Sequence, residues 1–218
     1  MIPMNLKKRM VLMSQLCLIS NMIIALTGFM GCGKSSIGKI AASKYGCNLI
    51  DLDEWIEEDC GMSIGEIFGE KGEKAFREME VNALKQIIGE IENNTLHSKG
   101  GNSGEESLDL EETVTILSLG GGTLTNSEAA SLVREKTHCI YLRANTETLV
   151  RNLLEYPGDR PMLNGAQNDV NALRARINEL MSKRQAIYET VAHRIIDIDD
   201  HSYDEIAEVM IHDLRQPR

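Results

Sequence analysis

The stretch Gly28-Phe29-Met30-Gly31-Cys32-Gly33-Lys34-Ser35 limits what this chain can fold into more than any other. It fits G-x-x-x-x-G-K-[ST], a pattern with physical meaning only between a buried strand and a helix. Both flanks are present. Residues 23–27 (IIALT) form a short apolar run, and residues 35–45 keep helical spacing until Gly46 ends them as a C-terminal cap. The glycines at 28, 31 and 33 let the backbone turn so that its N–H groups converge on an anion at the positive end of the helix. Lys34 adds a point charge suited to β- and γ-phosphates, and Ser35 a hydroxyl suited to Mg²⁺. The expected nucleoside triphosphate loop is therefore Gly28, Met30, Gly31, Cys32, Gly33, Lys34, Ser35 and Ser36.

The rest of the chain alternates in the same way. Strand-like runs at 48–52, 113–119, 139–142 and 195–198 are separated by helical spacing at 73–91, 126–136, 146–154 and 172–192. Ser63 with Glu66 has capping-box spacing, Thr146 or Thr148 is placed to cap the helix through Leu154, and Ser202 with Glu205 opens a terminal helix. Five strands separated by helices predict one P-loop α/β domain of three layers, α/β/α, with a central five-stranded parallel sheet and helices on both faces. That domain spans residues 22–218. Residues 93–112 (NNTLHSKGGNSGEESLDLEE) interrupt it with few large apolar side chains and read as a polar surface insertion.

Residues 4–26 carry Lys7, Lys8 and Arg9 ahead of an apolar stretch, superficially like an export signal. Cleavage after Ala25 would remove the strand that the glycine loop requires. Residues 1–21 are therefore read as an extension, either an extra helix packed on the domain or a segment upstream of a start at Met22. The five cysteines form no C-x-x-C pair and suit reduced thiols in a cytoplasmic protein. A net charge of −10 and 4% aromatic residues exclude a protein that wraps a polyanion or stacks single-stranded bases. No nucleic-acid or membrane partner is expected, and a monomer is. Any anionic ligand must be small and met by a few well-placed cations.

Asp51 and Asp53 close the second strand at the carboxyl edge of the sheet, where ligands bind in open α/β folds. They are expected to serve separate jobs, one holding metal-bound water and the other facing an acceptor; the rival role for Asp53 is to cap the following helix. Arg77 and Glu80 share a helix face, so Glu80 can orient the guanidinium for a bidentate partner, or the two can form only an exposed ion pair. Gly120-Gly121-Gly122 follows the third strand and suits close approach of a ligand to backbone, or a plain turn.

The order of motifs says more than any one of them. The chain runs GFMGCGKSS, DLD, GEKAFREME, LGGGT, DRPML and RQAIY, and in this order it resembles the shikimate kinases from about Met22 onward, apart from the insertion. The resemblance implies transfer of the ATP γ-phosphoryl group to the 3-hydroxyl of shikimate. It implies that Lys34 and Ser35 hold the phosphates and Mg²⁺, with Asp51 supporting the metal through water. Asp53 would meet the shikimate hydroxyls and assist proton removal. Arg77 and Arg184 would grip the substrate carboxylate, with Glu80 fixing Arg77, while Gly120, Gly121 and Gly122 line the site. Arg160, in a lid at about 156–168, would close over the phosphates, and Arg151 would flank the adenine. Ala186 stands where the family pattern has proline, and the insertion and extension are further departures. The rival readings are another small-metabolite kinase such as a gluconate kinase, which would not need Arg77, Glu80 and Arg184, and a nucleotide-binding regulator without catalysis.

Overall fold

The computed structural model describes residues 22–93, 114–156, 160–163, 165–166 and 169–213. The 1–21 extension, residues 94–112 of the insertion and residues 157–159, 164, 167 and 168 of the lid lie outside them. Strand β1 (Ile23–Thr27) is buried at all five positions, as an apolar run without alternation must be when both faces are covered. Helix α1 (Lys34–Tyr45) follows the glycine loop and ends at Gly46, in the left-handed conformation. Next come β2 (Asn48–Asp51), α2 (Leu52–Cys60), α3 (Ile64–Glu70) and α4 (Gly72–Glu92). The second half runs β3 (Thr115–Ser118), α5 (Ser127–Lys136), β4 (His138–Arg143), α6 (Thr146–Glu155), α7 (Val170–Val191), β5 (Arg194–Asp197) and α8 (Tyr203–Asp213).

All strand pairs are parallel and their order is β2-β3-β1-β4-β5, the predicted five-stranded sheet. The chain leaves β1 toward one edge, returns to β3, then crosses β1 to reach β4. Consecutive crossovers on opposite sides open a crevice beyond the carboxyl ends of β1 and β3, which is where such sheets bind ligands. Pleating divides β1 between two cores. Ile24 and Leu26 pack with Ile37 of α1, Leu173 of α7 and Met210 of α8, whereas Ile23 and Ala25 pack with Leu84 and Ile87 of α4 and Val133 of α5. Each fully buried Leu or Ile contributes about 1.5–3 kcal/mol over its exposed state, so the two faces are held mainly by helix packing. Helix α7 is long enough to serve both: Leu173 and Ile177 join the first core, Tyr188 and Val191 the second. Its middle, with Arg184, thereby passes the crevice.

Several boundaries differ from the sequence reading. Strand β2 stops at Asp51, and Asp53 lies in the first turn of α2. The α2 cap is Asp51, whose Oδ1 accepts from the Asp53 N–H at 3.1 Å, so Asp53 caps nothing. On a strand, residues two apart would share a face; here the chain turns into a helix between the two aspartates, and both line one cleft. Neither threonine caps α6; Asn145 does, accepting from the Thr148 N–H at 2.8 Å. The Ser63–Glu66 capping box is formed as expected, and Ser202 and Glu205 bond reciprocally at the start of α8. Among the described residues no helix is long and apolar enough to cross a membrane.

Candidate active site

The crevice is a cleft of about 760 Å³. Its floor is the glycine loop, where Gly33 takes φ +88° at the α1 N-cap; a Cβ there would lie 2.8 Å from the Tyr203 ring, so glycine is required on both counts. The Lys34 ammonium, nearly buried, donates to Gly28 O at 2.9 Å and Phe29 O at 3.1 Å. Ser35 Oγ donates to Asp51 Oδ2 at 2.5 Å and lies 3.3 Å from Ser118 Oγ. Asn152 of α6 donates from Nδ2 to Gly31 O at 2.8 Å, tying the loop to the neighbouring helix.

The other wall begins at Asp53. Its Oδ1 is buried and without a hydrogen-bond partner among the described residues. Burial, with Asp51 and Glu80 adding negative charge, pushes its carboxyl up to about 7, against the pull of Lys34 and Arg77. Glu80, 1% exposed, accepts from Arg77 Nη1 at 2.6 Å and from Thr123 Oγ1 at 2.5 Å. Burial raises the Glu80 carboxyl above its ordinary value even so, with Arg77, Thr123 and Arg184 opposing. Burial works against the Arg77 charge, but Glu80 and Glu73 outweigh it and raise its pKa. The pair expected as either a clamp or a surface ion pair is thus buried.

The glycine triplet joins the two halves. Gly121 O accepts from Arg184 Nη1 at 3.1 Å and from the Tyr188 hydroxyl. Arg184 is 3% exposed and stands 5.8 Å from the Phe29 ring. A Cβ on Gly122 would lie 2.3 Å from Arg77 Nη2 and 2.6 Å from its Cζ. Gly122 has φ −118°, open to any residue, so the constraint there is space alone. Gly122→Ala is therefore expected to push Arg77 out of position and raise KM for a carboxylate acceptor about 10- to 100-fold, as displacement of about 1 Å does. Steady-state kinetics with each substrate varied would check it, KM for the nucleotide staying within twofold.

Met30, Gly31, Gly33, Lys34, Ser35, Ser36, Asp51, Asp53, Arg77, Glu80, Gly120, Gly121, Gly122, Arg160 and Arg184 all line this cleft. Gly28 and Cys32 support it from beneath, since Gly28 O holds Lys34 and Cys32 is fully buried. Arg151 is exposed on α6 outside the lining, though its charge falls on Tyr203, which does line it. Arg160 donates from Nη1 to Tyr156 O at 3.0 Å, just ahead of a 3₁₀ turn, Pro161–Leu163. Leu163 is fully buried and Arg176 donates from Nε to Met162 O at 3.0 Å, so the chain beyond Arg160 is anchored.

The shikimate kinase family model matches residues 30–109 and 105–215. The chain belongs to the shikimate kinase family. It is 36% identical over 170 residues to the shikimate kinase of Chlorobium chlorochromatii, covering 77% of each chain. With the shikimate kinase of Thermus thermophilus it shares 32% over 191 residues, 88% of this chain and 89% of that one. The crystal structure of shikimate kinase from Bacteroides thetaiotaomicron superposes with a TM-score of 0.69 at 28% identity, over 89% of this chain and 96% of that chain. Shikimate kinase from Acinetobacter baumannii, solved in complex with shikimate, shares the fold at a TM-score of 0.71 and 21% identity, over 93% and 96% of the two chains.

Membership makes this chain a kinase that uses ATP. Sequence reasoning passed over four residues that build its cleft: Thr123, Asn152, Tyr188 and Tyr203. Thr123 ends the LGGGT motif and Tyr188 stands one helical turn after Arg184, so both carried a local signal. Asn152 and Tyr203 carried none.

Proposed function

We propose that the chain transfers the γ-phosphoryl group of ATP to the 3-hydroxyl of shikimate, giving shikimate 3-phosphate and ADP. The observation that carries this reading is a pair of arginines, Arg184 buried and Arg77 with a side chain only 12% exposed, flanking one glycine turn in the cleft that Lys34 also lines. Guanidinium groups held away from solvent match a carboxylate-bearing acceptor in geometry and charge, and a neutral polyol needs neither. Gly120, Gly121 and Gly122 present backbone to the same molecule.

On the donor side, the loop from Gly28 to Ser36 cradles the triphosphate, Lys34 draws charge from the β- and γ-phosphates, and Arg151 flanks the adenine. Ser35, with Asp51 through water, would hold Mg²⁺. The donor set fits that ion: hydroxyl and carboxylate oxygens gather at the positive end of α1, where phosphate oxygens would supply the remaining ligands. Among the described residues no three His, Cys, Asp or Glu gather as a metal cluster, and Mg²⁺ at phosphates takes only one or two protein carboxylates. When bound, it neutralises charge on the phosphate oxygens.

Asp53 accepts the proton as the acceptor O–H bond breaks and the new O–P bond forms; the bond from the γ-phosphorus to the β–γ bridging oxygen breaks and ADP leaves. A carboxyl pushed up to about 7 is matched to that task near neutral pH. Arg160 meets the transferring phosphoryl group, and the lid excludes water that would compete as acceptor. The reading describes a monomeric cytoplasmic enzyme whose partner is a small molecule, with no nucleic acid or membrane involved.

A coupled ADP-release assay tests it. ADP is expected only when shikimate and Mg²⁺ are both supplied. Equal release without shikimate, or turnover of gluconate in its place, would overturn the proposal.

A further inference from the structure

Two carboxylates hold Arg77, and only one of them is shielded from water. Its Nη1 is held by Glu80 at 2.6 Å and its Nη2 by Glu73 at 3.1 Å, while its buried Nε has no partner among the described residues. Glu73 is half exposed and its contribution is screened by water. Glu80, 1% exposed, has no such competitor, so the direction in which Arg77 points depends on the direction in which the Glu80 carboxylate points.

That carboxylate has two oxygens with different neighbours. Oε2 faces Arg77. Oε1 lies 2.8 Å from the point a Gly120 Cβ would occupy, and Asp53 Oδ1 lies 2.9 Å from the same point. Two buried carboxylate oxygens therefore converge over one glycine, and the one on Asp53 has no hydrogen-bond partner among the described residues. The group that satisfies Oε1 is the Thr123 hydroxyl, 2.5 Å away and fully buried. Thr123 is itself fixed by the chain: its N–H donates to Gly120 O at 3.2 Å and it opens the 3₁₀ turn Thr123–Thr125. The same hydroxyl oxygen lies 3.0 Å from Gly120 O, but its single proton goes to the charged acceptor, the stronger of the two.

We infer that Thr123 is a positioning residue for the acceptor site: its hydroxyl fixes Oε1 of Glu80 so that Oε2 aims the Arg77 guanidinium into the cleft. Without that donor, Oε1 faces Asp53 across Gly120, the carboxylate swings away, and Arg77 follows. The inference rests on the reading of Arg77 as a contact to the acceptor carboxylate. It assigns to the residue after the glycine triplet a role in acceptor affinity that is separate from the triplet's own backbone contacts.

The test compares Thr123→Val, which keeps the shape and removes the hydroxyl, with Thr123→Ser, which keeps the hydroxyl. Both are made also in an Arg77→Ala background, and shikimate affinity is read by calorimetry beside KM and kcat. Thr123→Val is expected to weaken shikimate binding about 10-fold, the loss of one buried hydrogen bond to a charged group. KM for ATP and kcat stay within about twofold, and Thr123→Ser recovers the affinity to within about twofold, since the charged hydrogen bond is restored. In the Arg77→Ala background Thr123→Val adds little, because its effect passes through Arg77. Unchanged shikimate affinity in Thr123→Val, an equal rise in both KM values, or a full additional loss in the Arg77→Ala background overturns the inference. If Arg77→Ala alone leaves shikimate affinity intact, the functional reading beneath it fails as well, which separates the two failures.

Discussion

Replacement of Arg160 by alanine is expected to lower kcat about 10³- to 10⁵-fold, the range over which an arginine supplied to a transferring phosphoryl group acts. The position argues for so large an effect. Arg160 lines the same cleft as Lys34, and burial alone lowers its pKa, since no described carboxylate lies within ion-pair distance of it. Its bond to Tyr156 O is one hydrogen bond to a neutral acceptor, weak enough to exchange for a phosphate. Downstream, buried Leu163 and the Arg176 bond to Met162 O anchor the chain next to Arg160. Because the charge matters most when it spreads over the phosphoryl oxygens, kcat falls far more than KM for ATP rises. Arg160→Lys is expected to recover only part of the rate, since a point charge does not reproduce a planar fork. Single-turnover ADP formation would check both variants; a kcat within tenfold of the parent in Arg160→Ala would remove Arg160 from the transition state.

What could be read in the sequence was what depends on near neighbours. The glycine loop, its flanking strand and helix, and the Ser63–Glu66 box involve residues close along the chain, and each formed as spacing predicted. The α/β alternation gave a parallel five-stranded sheet for the same reason, because a helix follows each strand before the next begins. Contacts that depend on strand order were not legible. Asn152 meets Gly31 across 121 positions, Tyr188 meets Gly121 across 67 and Thr123 meets Glu80 across 43; no spacing rule reaches that far. The Asp51–Asp53 pair was misread because a strand end and a helix start can share two residues, and only the turn at Leu52 decides which rule applies. Arg77 and Glu80 were found, but their burial was not, since burial comes from α4 packing beneath the glycine triplet rather than from their own helix.

Charge was half legible. The four expected cations, Lys34, Arg77, Arg160 and Arg184, do line the cleft of an otherwise acidic chain, yet Asp51, Asp53, Glu57 and Glu80 line it too. These carboxylates are largely spoken for. Asp51 accepts from Ser35 and the Asp53 N–H, Glu57 from the Ile64 N–H at 2.7 Å, and Glu80 from Arg77 and Thr123. Among the described residues Asp53 Oδ1 is the one buried carboxylate oxygen without a partner.

That unpartnered oxygen makes Asp53→Asn the second large effect. The amide keeps the size of the side chain and cannot take a proton, so kcat is expected to fall about 10²- to 10⁴-fold, the contribution of a positioned general base. The same substitution has a signature in folding stability, measured on nucleotide-free, chelated protein. Burial holds the Asp53 carboxyl at about 7 in the folded chain against 3.8 for an ordinary aspartate. The folded state therefore binds a proton that the unfolded state has released between about pH 4 and pH 7, and stability falls as pH rises through that window. Below pH 4 the contribution is complete; above pH 7 the ionised carboxylate is a standing cost to the fold. Asp53→Asn removes the group that titrates, so its stability profile is expected to be flatter than the parent's from pH 4 to 7 and higher at pH 8. Urea titrations at half-unit pH intervals would show it. A parallel loss of rate without any change in the pH slope would leave Asp53 a steric contact to the acceptor and place the proton elsewhere. Equal kcat in the two proteins would mean that the loose transition state of phosphoryl transfer needs no base at this position.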